Sequence, residues 1–284
     1  MHTILRSATK QVTIGDGQPF CVIGERINPT GRKIFQEQLR AGDLSAIERD
    51  VDAQVAGGAD VLDVNMGVPL TDEPDLLARA IKLVQSKTDL PICIDSSVVE
   101  AIEAGLQAYE GRALVNSVTA EDDRLEAILP LVKRHDAAVI ALPNDEDEIP
   151  MEADKRLRLV DKIAEVATTE YGIAKADILI DPLAMPIGAD ATVVRSFLET
   201  TAGIRAKHGL NTTCGASNVS FGMPGRHDLG GAFLPMAMGA GLTSAIMDAR
   251  TPSIVESVRA GDVLLGSDEW GMSWIAAFRA KQEP

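Results

Sequence analysis

Two periods alternate along this chain, and no other feature limits its fold as strongly. Short apolar runs of strand length read "PFCVIGE", "ADVLDVNM", "LPICIDSS", "RALVNSV", "AAVIALPN", "ADILIDPL", "TTCGASNVS" and "TSAIMDA". Between them lie longer stretches with apolar residues at i, i+3 and i+4, such as "SAIERDVDAQVAGG", "EPDLLARAIKLVQSKT" and "KRLRLVDKIAEVATTEYG". Parallel strands need crossovers of about a dozen residues or more, and runs apolar on both faces mark a sheet covered on both sides. Gly58, Gly111, Gly172 and Gly209 close four of the periodic stretches and are read as left-handed helix C-caps. Eight strand–helix units predict an α/β chain forming a single (β/α)8 TIM barrel over residues 1–284. An open nucleotide-binding sheet is less consistent, because neither GxGxxG nor a P-loop pattern occurs. The tail "SDEWGMSWIAAFRAKQEP" is expected to form a closing helix packed on the barrel, and "NDEDEIPMEAD" a solvated loop.

Composition narrows the partners. Of the 284 residues 45% are hydrophobic and 24% charged, so the chain can bury a full core. A formal charge of −15 opposes attraction to nucleic acid or an anionic membrane. The start "MHTILRSATKQV" lacks the apolar centre of a signal peptide, and no apolar run approaches the roughly 20 residues of a membrane span. A cytoplasmic protein is expected. Cys21, Cys93 and Cys214 lie far apart in apolar or small-residue runs and are read as buried free thiols.

In a barrel of this kind the site lies at the C-terminal strand ends, and all eight runs end in an acid or an amide. Glu25, Arg26 and Asn28 follow the first run; Asp63 and Asn65 close the second, Asp95 and Ser96 the third, Asn116 and Ser117 the fourth. Asn144 follows the fifth, Asp181 the sixth, Asn218 and Ser220 the seventh, and Asp248 the eighth. Any one of these could be a helix cap or turn residue. Eight together predict a ring of donors and acceptors around a flat, nitrogen-rich heterocycle, since a carboxylate accepts two parallel N–H bonds and an asparagine offers a matched donor and acceptor. A pterin has such edges. No histidine stands at a strand end, which disfavours a histidine-ligated metal, and no lysine lies in any run, which disfavours a Schiff-base aldolase.

"GERINPTG", "DVNMG", "CIDSS", "VNSV", "IDPL", "SNVSFG" and "FLPMAMGAGL" resemble, in order, the strand-end motifs of the methyltetrahydrofolate:corrinoid methyltransferases among the pterin-binding barrels. The likeness runs from about Gly24 past Asp248 and is greatest to stand-alone methylcorrinoid:tetrahydrofolate methyltransferases of anaerobic one-carbon metabolism. It implies a homodimer that binds tetrahydrofolate or 5-methyltetrahydrofolate as substrate. The corrinoid (cobalamin) is borrowed from a partner corrinoid protein, and no metal is bound by this chain. The motifs do not write the direction of transfer; formation of methyltetrahydrofolate is favoured.

By the same resemblance Asp181 holds the pterin N3 and 2-amino edge, Asn116 the opposite ring nitrogens and Asp95 a ring N–H. Asn218 approaches N5 and is the catalytic residue. Glu25, Asn28, Asn65, Ser96, Gly215, Ser220 and Arg226 complete the pterin site, with Arg26 beside them. Glycine-rich "GMPG" and "DLGGA" are read as a movable loop; His227 is open between a ligand role and helix capping. Arg32 and Lys33 are open between the folate glutamate tail, the corrinoid protein and water.

The nearest rival is a dihydropteroate synthase-like enzyme, whose first motif resembles "NVTPDSF" where this chain has "NPTGRKIF" and whose basic last-strand site is replaced by "AIMDAR". The other is a pterin-binding module without catalysis. The chain shows no zinc-binding cysteine cluster and no DxHxxG corrinoid motif.

Overall fold

A computed structural model of the chain describes residues 1–147, 149–280 and 282. All eight apolar runs form strands of one parallel sheet. They are β3 (Cys21–Ile27), β4 (Val61–Asn65), β5 (Ile92–Asp95), β6 (Leu114–Thr119), β7 (Ala138–Leu142), β8 (Ile178–Ile180), β9 (Asn211–Thr212) and β10 (Ser244–Met247). They pair in the order β10-β3-β4-β5-β6-β7-β8-β9. The ring closes at the β9–β10 seam by a parallel bridge between Gly215 and Ile246, with Ile246 N donating to Cys214 O at 2.8 Å. Hydroxyls carry the rest of the seam: Thr212 N donates to Thr243 Oγ1 at 2.9 Å, and Thr243 Oγ1 and Ser244 Oγ donate to Thr212 O at 2.8 and 3.0 Å.

Helices cover the barrel: α1 (Lys33–Arg40), α2 (Ser45–Gly57), α3 (Glu73–Lys87), α4 (Val99–Ala108), α5 (Asp122–Arg134), α6 (Ala153–Thr169), α7 (Val193–His208), α8 (Arg226–Ala240), α9 (Pro252–Leu265) and α10 (Met272–Ala280). Each long crossover buries one stripe, as Leu76, Leu77, Ala80, Ile81 and Val84 do in α3. Gly58 and Gly209 are left-handed C-caps. Gly172 lies beyond the end of α6. Gly111 instead permits a close backbone approach, because a Cβ there would meet Arg6 O at 2.1 Å.

Three local expectations are corrected. "DLGGA" is not a loop but the first part of α8. Its glycines let α8 lie close on α9, since a Cβ on Gly231 would stand 2.9 Å from Ser257 Oγ. "TTCGASNVS" is regular strand only at its start; beyond Thr212 single backbone bonds continue to Gly215, and the chain then coils into a 3-10 turn over Ala216–Ser220. The tail does form a helix, capped by Asp268 accepting from Ser273 N at 3.0 Å and Trp274 N at 2.9 Å, but α10 buries none of its residues. Its apolar side chains face outward, Trp270 before it being 86% and Phe278 57% exposed.

An antiparallel hairpin at the start, β1 (His2–Arg6) and β2 (Gln11–Gly15), has no counterpart among the eight apolar runs. Leu5 and Ile14 are fully buried against Ile23, Val61, Cys93, Leu114, Ala138 and Leu179, so the hairpin fills the barrel interior from below. Its edges are tied by Arg6 N to Arg112 O (3.0 Å), Arg112 Nη1 to Ile4 O (2.8 Å) and Asn211 Nδ2 to Ile14 O (3.0 Å). Cys21, Cys93 and Cys214 are all free and buried. Among the described residues no helix is long and apolar enough to cross a membrane.

Truncating the plug should be costly. Leu5→Ala removes a buried side chain from a packed interior and is expected to lose about 3 kcal/mol of stability, whereas exposed Gln11→Ala changes it by about 0.5 kcal/mol or less. Urea unfolding of the two variants reads the difference; equal midpoints would contradict the plug.

Candidate active site

The strand ends meet at the mouth opposite the hairpin. Successive strands end in register there, Asn65 of β4 beside Asp95 of β5, and Asp95 beside Asn116 of β6. Glu25, Arg26, Asn28, Asp95, Asn116, Gly215 and Asn218 line one cavity of about 370 Å³, with Asp63, Thr30 and Ile246. Asn218 rides on the 3-10 turn that follows β9 and is exposed to this space. Gly215 lies directly beneath it, and a Cβ there would stand 2.9 Å from Asn218 Nδ2 and displace the amide.

The floor of the cavity is acidic without a cation in contact. Asp63 is buried, accepts from Asn116 Nδ2 at 3.2 Å, and is hydrogen-bonded to Asp95. Burial, then the charge of Asp95, pushes the Asp63 carboxyl well above the usual carboxylate range. Two carboxyl groups in contact need a proton between them. The pair shares that proton, and burial raises both members. Burial raises Asp95 to about 6 against the hydrogen bonds it receives from Asn65 and Asp63. Asp63 also orients the Asn116 amide by accepting one of its two N–H groups.

Asp181 stands just past β8 beside this cavity. Its Oδ1 accepts Leu183 N at 2.7 Å, and it also accepts from the Gly215 amide. Leu183 reaches back by taking a left-handed conformation, φ 64°. Burial raises Asp181 to about 6, with the two amide bonds and Arg156 acting against it.

A second space of about 210 Å³ opens on the other side of Glu25 and Arg26 and is lined by Ser217, Ser220, Arg226, His227 and Asp248. Glu25 accepts Ser217 Oγ at 2.7 Å, and burial raises its pKa. Arg226 donates to Ser217 O at 3.0 Å and lies over the exposed Phe221 ring at 5.7 Å. Asp248 is not free to bind: burial would raise it, but Arg250 (2.6 and 2.8 Å) and Gln54 (2.8 Å) hold it at about 2.

Other predicted residues fall outside both spaces. Asn65 turns onto Gly67 N at 2.8 Å and touches Asp95 from the side. Ser96 is buried, hydrogen-bonds Glu73 and accepts Val98 N at 2.9 Å, so it secures the start of α4. Arg32 is committed inside the fold, with Nη1 donating to Asp50 and to Arg26 O, both at 2.7 Å, and its guanidinium over Phe35 at 4.6 Å. Lys33 is exposed at the start of α1.

Sequence reasoning missed Gln54 and Arg156. Both occupy the apolar stripe of a helix, Gln54 with Ala46, Ile47 and Val51, Arg156 with Val160, Ile163 and Ala167. A polar residue in register with such a stripe was the available signal. Among the described residues no group of three or more His, Cys, Asp or Glu side chains could hold a metal ion.

Residues 24–248 match the family model described as pterin binding enzyme. The methylcorrinoid:tetrahydrofolate methyltransferase of Eubacterium limosum is 30% identical over 91% of this chain and 96% of its own length. The methionine synthase of Mycobacterium leprae (strain TN) is 35% identical over 80% of this chain, which spans 20% of that longer protein. A solved dihydropteroate synthase of Xanthomonas albilineans shares the fold, with a TM-score of 0.68 at 20% identity over 92% of this chain and 98% of its own. Matched over most of its length by the family model and by a full-length relative, the chain belongs to the pterin-binding enzymes.

Proposed function

We propose that this protein is a methyltransferase moving a methyl group between the cobalt of a corrinoid protein and N5 of tetrahydrofolate, in the direction of 5-methyltetrahydrofolate. The observation that carries the reading is one cavity of pterin size where Asp95, Asn116 and Asn218 converge, with Asp181 tied to its wall through Gly215. Near full-length similarity to the Eubacterium limosum enzyme supports the reaction class. Likeness to dihydropteroate synthase is at the level of fold, at 20% identity.

Asp181 accepts the N3–H and 2-amino group, Asp95 a ring N–H, and Asn116, oriented by its bond to Asp63, offers its oxygen and remaining N–H to the opposite ring nitrogens. Glu25, Arg26, Asn28 and Gly215 close the pocket around the ring, while Asn65 and Ser96 act from behind. Ser220 and Arg226 line the adjoining space, which suits the rest of the folate. The corrinoid, carried by a partner protein, supplies or accepts the methyl group. The chain itself contributes positioning and polar stabilisation at N5. Asn218 meets that atom in either proton state: its oxygen accepts N5–H, and its NH2 donates to an unprotonated N5.

The three reduced, buried cysteines fit a cytoplasmic enzyme. The apolar outer face of α9 and α10, with Leu264, Trp270, Met272 and Phe278 all more than half exposed, fits the interface of a homodimer.

Asn218→Ala is expected to slow methyl transfer about 100-fold while changing tetrahydrofolate affinity only a few-fold. Single-turnover kinetics beside calorimetry separate the two, and equal losses would remove the catalytic role. In sedimentation equilibrium the protein is expected to be a dimer that Trp270→Glu dissociates; a wild-type monomer would overturn the interface.

A further inference from the structure

Arg156 is an unusual occupant of its position. It lies on the buried stripe of α6, has no exposed surface, and is the largest side chain buried so completely. Nε donates to Pro150 O at 2.8 Å and Nη1 to Pro182 O at 2.7 Å. Nη2 is buried with no hydrogen-bond partner among the described residues. An apolar side chain of similar volume would pack there without desolvating a charge or stranding an N–H group. The gain must lie elsewhere, and its neighbours locate it. Pro150 ends the segment that leaves β7 at the mouth, and Pro182 belongs to the turn in which Leu183 N grips Asp181.

We propose that Arg156 is a positioning residue for Asp181: through the Pro182 carbonyl it fixes the turn that aims the carboxylate, and it sets a buried guanidinium behind that turn. The proposal rests on the reading above of Asp181 as the group that meets the pterin's amidine-like edge. The charged and titratable groups acting around the pair are few. Arg156 faces Asp181 from α6, the Cys214 thiol faces it from beyond β9, and Glu152 at the start of α6 acts on Arg156.

The sign follows from these groups. With burial holding Asp181 at about 6, its carboxylate is present above that pH and lost below it. The Asp181 contribution to tetrahydrofolate affinity is therefore present well above about 6 and lost as the pH drops through it, beside a contribution of Asp95 in the same range that Arg156 does not touch. Removing Arg156 removes an opposing charge, so Asp181 titrates higher and the fall begins at higher pH.

Anaerobic calorimetry of tetrahydrofolate binding across a pH series tests this with wild type, Arg156→Met, Arg156→Lys and Asp181→Asn. Titrations belonging to the folate itself are common to all four. Arg156→Met is expected to bind about tenfold more weakly at neutral pH, with the fall displaced upward by about one unit. Arg156→Lys keeps the charge but not the two-carbonyl grip, so affinity stays reduced while the fall returns to its wild-type position. Asp181→Asn loses the Asp181 share of the fall and keeps only that of Asp95, which titrates in the same range. An Arg156→Met profile unmoved in pH, with Asp181→Asn defective, overturns the role of Arg156 and leaves the pterin reading standing. Asp181→Asn binding like wild type overturns both. Should Arg156→Met fail to fold, Arg156→Lys decides, and a displaced fall in that variant contradicts the proposal.

Discussion

The barrel closes where its ladder is thinnest, and the site depends on that. β9 is two residues long and meets β10 through threonine and serine hydroxyls and a single bridge at Gly215 and Ile246. A full-length strand in this place would have committed its backbone to both neighbours and pointed alternate side chains inward. Because pairing thins to single bonds at Thr213 and Cys214 and ends at Gly215, Ala216–Ser220 coil across the mouth, with the Gly215 amide on Asp181 and Asn218 at the cavity. The hairpin below makes such a loose seam tolerable: Leu5 and Ile14 fill the interior, and Asn211 of β9 is bonded to it at Thr3 and Ile14.

Electrostatics divide the same mouth into two functions. Carboxyls with positive partners are structural: Asp248 with Arg250, and Asp50 with Arg32. Those without a cation in contact, Asp63 and Asp95, stay uncompensated and share a proton, a costly arrangement for a fold alone and a useful one for gripping a neutral ring rich in N–H groups. The net charge of the chain gave no hint of this division.

Much of the architecture was legible because burial writes itself as period. Each apolar run became a strand, and the acids and amides that close the runs sit at one end of the barrel. What the sequence concealed lies where partners are distant or signals conflict. The hairpin strands "HTILR" and "QVTIG" bury few side chains each and read as a polar start. Gly230 and Gly231 looked like loop residues although they sit in a helix, and at Gly231 close packing on α9 offsets the poor helix propensity. Arg156 and Gln54 break the apolar stripe of their helices, a local signal that marks them, but their partners Pro182 and Asp248 lie 26 and 194 residues away, so the stripe alone does not give the role. Of the strand-end residues, the sequence distinguished poorly between those that face the cavity, such as Asn116, and those that serve a turn, such as Asn65 and Ser96; one register position decides between them.

The central claim is that this mouth transfers a methyl group to a bound pterin. Mixing the protein with methylcob(III)alamin and tetrahydrofolate under anaerobic conditions, and following absorbance, tests it directly. The account predicts protein-dependent appearance of cob(I)alamin with stoichiometric 5-methyltetrahydrofolate. No cob(I)alamin, together with no tetrahydrofolate binding by calorimetry, would contradict it.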